Sequence, residues 1–186
     1  MIDTEIHGVK LRLNTSLRGF SPKAIDPGTS TLLSLVKIGE ENKVLDLGCG
    51  YGVVGIFAAR FTNPMLVHMV DIDPEMVRLA KKNAEANGVS SVNCCISDGF
   101  DNVNETGFDL ILSNPPYHVD FSVPKKFIEK GFNRLAIGGS LWMVVKRQAW
   151  YENKLRKTFG GVKIYQLNGY CVLQAERRSY QRHNSR

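Results

Sequence analysis

Short apolar runs alternate with longer amphipathic segments along most of the chain. Runs bounded by glycine, proline or asparagine predict strands at residues 43–47, 65–70, 92–96, 108–112, 140–145, 162–166 and 170–175. Apolar positions at helical spacing predict helices at residues 51–61, 74–87, 124–135 and 148–159. A further helix through residue 38 is expected upstream, with Thr29 or Ser30 as its N-cap. Before it, the alternating Val9, Leu11 and Leu13 predict one short strand.

The order of these elements predicts the fold class. Strand and helix alternate over residues 43–159, which is typical of parallel strands joined by right-handed helical crossovers. The last two strands flank Asn168-Gly169, a strong signal for a tight hairpin turn. We therefore expect an α/β fold: a doubly wound, mostly parallel seven-stranded sheet with an antiparallel C-terminal hairpin. Residues 29–176 would form this domain, 1–28 an N-terminal extension that contributes to its site, and 177–186 a basic flexible tail.

Composition and charge bear on the partners and the location of the protein. The 186 residues include 24 Lys and Arg against 18 Asp and Glu, a formal charge of +6 that suits a polyanion such as RNA. No apolar run approaches the roughly 20 residues needed to cross a bilayer, and the first residues lack the profile of a signal peptide. We therefore expect a cytoplasmic protein that does not act at a membrane.

The cysteines do not indicate a metal site. They are Cys49, Cys94, Cys95 and Cys171. None of them belongs to a C-x-x-C pair, and the spacing typical of metal ligands is absent. We expect buried, reduced thiols and no bound metal.

A glycine-rich loop joins the first parallel strand to its helix. Its small residues are Gly48, Cys49, Gly50 and Gly52. Such a loop turns tightly and lets a ligand lie against bare backbone at the start of a helix. The spacing Gly50-x-Gly52-x-x-Gly55 formally matches the dinucleotide fingerprint, which taken alone permits NAD. However, the turn already begins at Gly48, and the preceding carboxylate of Asp46 would lie poorly beside a pyrophosphate.

Three carboxylates follow three successive strands, so they should all face one crevice at the carboxyl edge of the sheet. A ligand with an ammonium group and no phosphates, such as S-adenosylmethionine, suits them. Asp46 would hold its amino group, Asp71 both ribose hydroxyls and Asp98 the adenine amine, while Ile72 would cover one face of the adenine. Simpler interpretations remain open: Asp71 or Asp73 could serve merely as the cap of the next helix, and Asp98 could merely form an Asx turn without contacting a ligand. We favour Asp73 as the cap.

The segment Asn114-Pro115-Pro116-Tyr117-His118 follows the strand predicted at residues 108–112. Its prolines stiffen the chain and leave carbonyl groups available as acceptors. The Asn114 side-chain oxygen and the Pro115 carbonyl suit the two N–H groups of a planar amine, and Asn114 would also border the cofactor. Pro116 and Tyr117 would contact the substrate, with the Tyr117 ring stacked on it. His118 could contact it too, or be an ordinary loop residue. Alone, the segment could equally be only a turn.

Together these segments resemble a known family. The resemblance covers residues 20–175 and rests on Gly19-Phe20-Ser21, Asp26-Pro27-Gly28-Thr29, the glycine loop, residues 114–118 and Gly169-Tyr170-Cys171-Val172-Leu173. They are similar to class I S-adenosylmethionine-dependent methyltransferases, and more narrowly to the methyltransferase small domain, the catalytic half of enzymes that methylate guanine N2 in small-subunit ribosomal RNA. Members often carry a second, N-terminal pseudo-catalytic domain that this sequence does not contain, which leaves the exact RNA target open.

This resemblance implies methyl transfer to an exocyclic nitrogen, with Asn114, Pro115 and Tyr117 as catalytic residues. Because the lone pair of such a nitrogen is delocalised, the two acceptors would orient it for attack. Guanine N2 in ribosomal RNA is the first hypothesis, while adenine N6 in nucleic acid and a glutamine amide in a protein present the same NH₂ geometry. A non-catalytic cofactor-binding module or an NAD-dependent oxidoreductase is the alternative of another class. The basic residues that could contact phosphate, or form only a solvated face, are Lys125, Lys126, Lys130, Lys146 and Arg147.

Overall fold

The computed structural model describes residues 1–15, 24–115 and 121–178. Its strands are β1 (Ile2–Ile6), β2 (Val9–Leu13), β3 (Val44–Leu47), β4 (Val67–Asp71), β5 (Asn93–Ile96), β6 (Phe108–Ser113), β7 (Leu135–Val145), β8 (Lys163–Leu167) and β9 (Tyr170–Glu176). Its helices are α1 (Pro27–Leu35), α2 (Val53–Ala58), α3 (Pro74–Ala86), α4 (Ser122–Arg134) and α5 (Gln148–Phe159). None of these helices is long and apolar enough to cross a membrane. The cytoplasmic location stays a prediction.

A seven-stranded sheet in the order β5-β4-β3-β6-β7-β9-β8 forms the centre of the molecule. The strands from β5 to β7 are parallel to their neighbours, whereas β9 is antiparallel to both β7 and β8. The predicted fold class is therefore confirmed. From β3 the chain winds outward to β4 and β5, and it then returns to place β6 on the other side of β3. A ligand crevice is expected at this switch point, outside the carboxyl ends of the strands.

Side chains of successive strand residues enter different cores on the two faces of the sheet. On β3, Val44 packs with α1, α2 and α3 residues, whereas Leu45 packs with residues of α4 and α5. Both side chains are fully buried. Since all of the β3 residues are buried, the continuous apolar run of the sequence is explained by helices on both faces.

Helix α1 begins earlier than the sequence predicted. Asp26, not Thr29 or Ser30, is its N-cap, and the Asp26 carboxylate accepts a hydrogen bond from the Thr29 N–H at 2.9 Å. Pro27 occupies the first helical turn, where its missing N–H costs nothing. The helix ends at Leu35 rather than near residue 38. The proposed division of the chain at residue 28 stays a prediction.

Several other boundaries differ from expectation. Strand β1 was not predicted because its polar residues mask the alternation; it pairs with β2 in a separate two-stranded sheet. Helix α2 is shorter than residues 51–61, and a 3₁₀ turn at Pro64–Leu66 replaces the start of the predicted strand. Strand β7 begins at Leu135, where a helix was expected to end.

The expectation of buried thiols is wrong for Cys95, which is exposed on the edge strand β5, while Cys94 is half-buried.

One asparagine connects the N-terminal hairpin to the glycine loop. The side chain of Asn83 on α3 is fully buried. Its Nδ2 donates to the Asn14 carbonyl at 3.0 Å and to the Tyr51 carbonyl at 2.8 Å, while its Oδ1 accepts from the Asn14 N–H at 2.7 Å. The end of the hairpin and the loop before α2 are thus held by the same side chain.

Candidate active site

The candidate site lies where the carboxyl ends of β3 and β6 meet the start of α1. A cavity of about 70 Å³ there is lined by the glycine loop together with Asp26, Thr29, Asp46 and Asn114. The buried Ser113 hydroxyl donates to the Leu47 carbonyl at 2.8 Å, which joins the ends of the two strands. The cavity therefore brings together the two segments that the sequence singled out, the glycine loop and Asn114.

The glycines of the loop serve two different purposes. Gly48 and Gly50 have positive φ angles of 76° and 52°, and an added Cβ at either position would meet no atom within 4 Å. Bare backbone at these two positions can therefore approach a ligand. At Gly55 an added Cβ would lie 2.4 Å from the Met69 side chain, and at Gly52 it would lie 3.1 Å from the Ala80 Cβ. These two glycines allow close packing, and the predicted cofactor contact of Gly52 stays a prediction.

Asp46 is a buried carboxylate at the base of the cavity. It is only 2% exposed, and its Oδ2 accepts a hydrogen bond from the Gly55 N–H at 2.8 Å. Burial raises the pKa of Asp46 to about 7; the Gly55 N–H opposes this rise, and the nearby Asp71 charge adds to it. A carboxylate with this environment gains from a cationic partner, which the ammonium group of S-adenosylmethionine would provide.

Asp71, at the end of β4, organises the backbone around it. Its Oδ2 accepts from the Gly50 N–H at 2.8 Å, and its Oδ1 accepts from the Asp73 N–H at 2.9 Å. Asp73 itself caps α3, accepting from the Glu75 N–H at 2.8 Å, so the preferred assignment of the cap is confirmed. The Asp71 carboxylate is half-buried and still has acceptor capacity for ribose hydroxyls. Its role with ribose stays a prediction.

The residues assigned to the adenine lie at the open side of the crevice. Ile72 is 66% exposed, so its side chain is accessible to a ligand in the crevice. Asp98 is exposed, and the Lys126 ammonium lies 3.3 Å from its carboxylate. Lys126 and Lys130 also pair with Asp101, so these two lysines of the expected basic rim are engaged with carboxylates. The adenine contacts stay predictions.

Asn114 is held by two side chains from the start of α1. Its Nδ2 donates to Asp26 Oδ2 at 2.8 Å and to Thr29 Oγ1 at 2.9 Å. Sequence reasoning missed these partners, although the Asp26-Pro27-Gly28-Thr29 segment was a signal. Pro115 is buried directly after Asn114. Pro116, Tyr117 and His118, the remaining predicted substrate contacts, lie outside the described residues.

A cation–aromatic stack lies beside the carboxyl end of β7. The Arg147 guanidinium is 5.3 Å from the centre of the Phe121 ring, and that ring stacks on Trp150 with centroids 4.4 Å apart. Arg147 is exposed, while both rings are half-buried. Because β6 and β7 are neighbours, this stack and Asn114 belong to the same edge of the sheet.

Comparison with known proteins identifies the family. A model of the methyltransferase small domain matches residues 10–174. The chain belongs to this family. Its cofactor is S-adenosylmethionine, and the glycine loop and Asp46 fit that molecule: Gly48 and Gly50 leave backbone open, and Asp46 is a buried carboxylate that accepts from the Gly55 N–H. Among the described residues, no group of three or more His, Cys, Asp and Glu side chains could hold a metal ion.

Relatives and solved structures agree with this family. The chain is 34% identical over 164 residues to the uncharacterized protein YbxB of Bacillus subtilis, covering 85% of this chain and 82% of YbxB. It is 37% identical over 158 residues to ribosomal RNA small subunit methyltransferase C of Mannheimia succiniciproducens, covering 82% of this chain and 47% of the relative. The T. thermophilus 16S rRNA N2 G1207 methyltransferase (RsmC), in complex with AdoMet and guanosine, superposes with a TM-score of 0.88 at 29% identity, covering 95% of this chain and 50% of that one. The chain thus spans about half the length of the ribosomal RNA methyltransferases that it matches.

Proposed function

We propose that this protein transfers the methyl group of S-adenosylmethionine to N2 of guanine in ribosomal RNA. The observation that carries the proposal is the anchored carboxamide of Asn114. Its Nδ2 donates to Asp26 Oδ2 at 2.8 Å and to Thr29 Oγ1 at 2.9 Å, so the acceptor oxygen is at the other end of the amide. An acceptor held in this way suits a substrate NH₂ group.

The proposed chemistry depends on orientation. The cofactor supplies an electrophilic methyl group when bound. Asn114 Oδ1 and the Pro115 carbonyl would accept the two N–H bonds of the guanine amine, turning its lone pair out of conjugation with the ring. Asp46 would hold the ammonium group of the cofactor, and Asp71 its ribose. Tyr117 would stack on the base, and Pro116 and His118 would line the same pocket. The proton released by the methylated nitrogen would pass to water.

Charge and resemblance support RNA as the substrate. The formal charge of the chain is +6. Arg147 presents an exposed guanidinium on the Phe121 ring, at the edge of the sheet that also carries Asn114, where it could contact a phosphate or stack on a base. Among the relatives, the T. thermophilus enzyme binds guanosine and is named for N2 of a guanine. The N-terminal residues would belong to the same site, since Asp26 lines the cavity.

The test is transfer of labelled methyl groups from S-adenosylmethionine to three acceptors: small-subunit ribosomal RNA from cells that lack the protein, DNA and total protein. Mass spectrometry of the labelled product would identify the nucleoside. We expect the label in N2-methylguanosine, and transfer that is about 1,000-fold slower with the Asn114→Ala variant. Label in N6-methyladenosine or in glutamine would contradict the proposal and favour one of the alternative amines. Binding without transfer to any acceptor would favour a cofactor-binding module.

A further inference from the structure

We propose that Asp26 and Thr29 determine which way the Asn114 carboxamide points, and that they are therefore positioning residues for methyl transfer. The catalytic consequence rests on the proposed function. The structural part of the proposal, the fixed orientation of the amide, does not depend on it.

The chemistry of the two partners dictates the orientation. A carboxamide has a donor end and an acceptor end of nearly the same shape, so it could in principle be inverted at little steric cost. A carboxylate has acceptor oxygens only, so the end that lies 2.8 Å from Asp26 Oδ2 must be the NH₂ group. Inversion would place Asn114 Oδ1 against that carboxylate, two acceptors with no proton between them. The Thr29 hydroxyl, 2.9 Å from the same nitrogen, accepts the second N–H.

The partners are themselves held in place. Asp26 and Thr29 are 8% and 7% exposed, respectively. The Asp26 Oδ2 atom that accepts from Asn114 also accepts from the Thr29 N–H, as the cap of α1. One oxygen therefore fixes both the start of the helix and the amide. Because these bonds join groups of the protein itself, they order Asn114 without needing a contact from the substrate.

Gly28 explains how α1 can come so close. A Cβ at this position would lie 2.8 Å from Asp26 Oδ2 and 3.0 Å from both Tyr170 and Val144. Only glycine leaves room for the first turn of α1 to lie against β7 and β9 while Asp26 reaches Asn114. In the Asp26-Pro27-Gly28-Thr29 segment, Asp26 and Thr29 thus accept from the Asn114 amide, Pro27 begins the helix, and Gly28 allows the helix to pack closely against the sheet.

Three variants test the proposal. Thr29→Val removes the hydroxyl at nearly constant shape, and Thr29→Ser restores it. Asp26→Gly removes the carboxylate that faces Asn114, and glycine is still an acceptable residue at a helix N-cap. We expect Thr29→Val and Asp26→Gly to lower kcat by about 10- to 100-fold, as small misplacements of reacting groups do. The Kd for S-adenosylmethionine should change by less than about threefold. Thr29→Ser should recover most of the loss.

A double-mutant cycle separates positioning from a direct role. If Asp26 acts through Asn114, then adding Asp26→Gly to Asn114→Ala should cause no further fall in kcat. If the kcat losses of the two single variants multiplied in the double variant, the proposal would be overturned. Equal activity of Thr29→Val and Thr29→Ser would also overturn it, and this comparison remains decisive if Asp26→Gly fails to fold.

A readout without substrate keeps the proposal separate from the proposed function. In nuclear magnetic resonance spectra, the Asn114 side-chain NH₂ of the wild type should show slow exchange with water, and Asp26→Gly should accelerate it at least about tenfold. Unchanged exchange would overturn the proposal whatever the substrate is. Absence of methyl transfer to RNA by the wild type, together with the expected exchange rates, would instead contradict only the proposed function.

Discussion

The two sides of the site are built in different ways. On the proposed cofactor side, carboxylates accept from backbone N–H groups closer in sequence: Asp46 from Gly55, nine residues away, and Asp71 from Gly50, 21 residues away. On the proposed substrate side, Asn114 donates to side chains 88 and 85 residues away. The first arrangement depends on one loop and its flanking strands, whereas the second depends on the docking of α1 onto the finished sheet.

This difference suggests that the two sides have separate roles, one in binding the cofactor and the other in placing the substrate. A carboxylate that holds the glycine loop in shape would determine how well the cofactor binds, whatever is done to the substrate. A carboxamide held by remote side chains would determine where a substrate atom is placed, with little effect on the cofactor. Substitutions on the first side should therefore change the Kd of the cofactor, and substitutions on the second side should change kcat.

The largest effect is expected at Asn114. Asn114→Ala removes the acceptor for the substrate amine, so we expect kcat to fall by about 1,000-fold, the scale seen when one group that stabilises a transition state is lost. The Kd for S-adenosylmethionine, measured by calorimetry, should stay within about threefold of the wild type. Near-normal turnover would remove the amine-binding role and with it the contrast between the two sides.

Substitution of Asp71 should give the next largest effect, and it should change the Kd for the cofactor rather than kcat. Asp71→Ala removes the acceptor for the Gly50 and Asp73 N–H groups and for the ribose, so we expect the Kd for S-adenosylmethionine to rise about 10- to 100-fold. At saturating cofactor, kcat should change little. Asp101→Ala is the matched control, because this exposed carboxylate pairs with Lys130 outside the cavity. An unchanged Kd in Asp71→Ala would rule out the ribose role.

Affinity for the cofactor should also depend on pH through Asp46. Its pKa is raised to about 7, so lowering the pH through 7 protonates it and removes the charge that would attract the ammonium group. We expect the Kd to rise about five- to tenfold from pH 7.5 to pH 6, a range that lies below the ordinary pKa of an α-amino group, so that the cofactor's own amino group is mostly protonated throughout and becomes more so at the lower pH. Asp46→Asn should bind more weakly and without this pH dependence. The same pH dependence in that variant would assign the titration to another group.

The smallest effect is expected at the cation–aromatic stack. Arg147→Ala should raise the Kd for a ribosomal RNA fragment about two- to fivefold and lower the salt dependence of binding by about one phosphate contact. Arg156→Ala is the control, since Arg156 pairs with Glu152 on the same helix. If both variants, or neither, weakened RNA binding, the stack would not be part of the substrate side.

The two sides also differ in how much of each could be predicted from the sequence. The glycine loop, Asp46 and Asp71 are consecutive signals at strand ends, so local patterns suffice to predict their place. The partners of Asn114 are not signalled by any periodicity, because no local rule relates residues 26 and 114. Thr29 and Ser30 are good cap residues by composition, and only the packing of α1 shows that Asp26 takes that role.

The fold itself was largely predictable from the chain. Buried parallel strands leave continuous apolar runs, and Asn168-Gly169 marks the hairpin between β8 and β9. The exposed Cys95 could not be anticipated, since an apolar-looking strand gives no sign that it will lie at the edge of the sheet. Strand β1 was missed for a related reason: with Asp3 and Glu5 facing solvent, only Ile6 is buried.

The central claim is that the acceptor end of Asn114 faces the amine to be methylated. The most direct test is a crystal structure of the protein with S-adenosylhomocysteine and guanosine. We predict that Asn114 Oδ1 lies within about 3.2 Å of the exocyclic guanine nitrogen, a hydrogen-bonding distance, with Nδ2 still bonded to Asp26 and Thr29. A guanine amine that lies beyond hydrogen-bonding reach of Asn114, or that faces its Nδ2, would contradict the account.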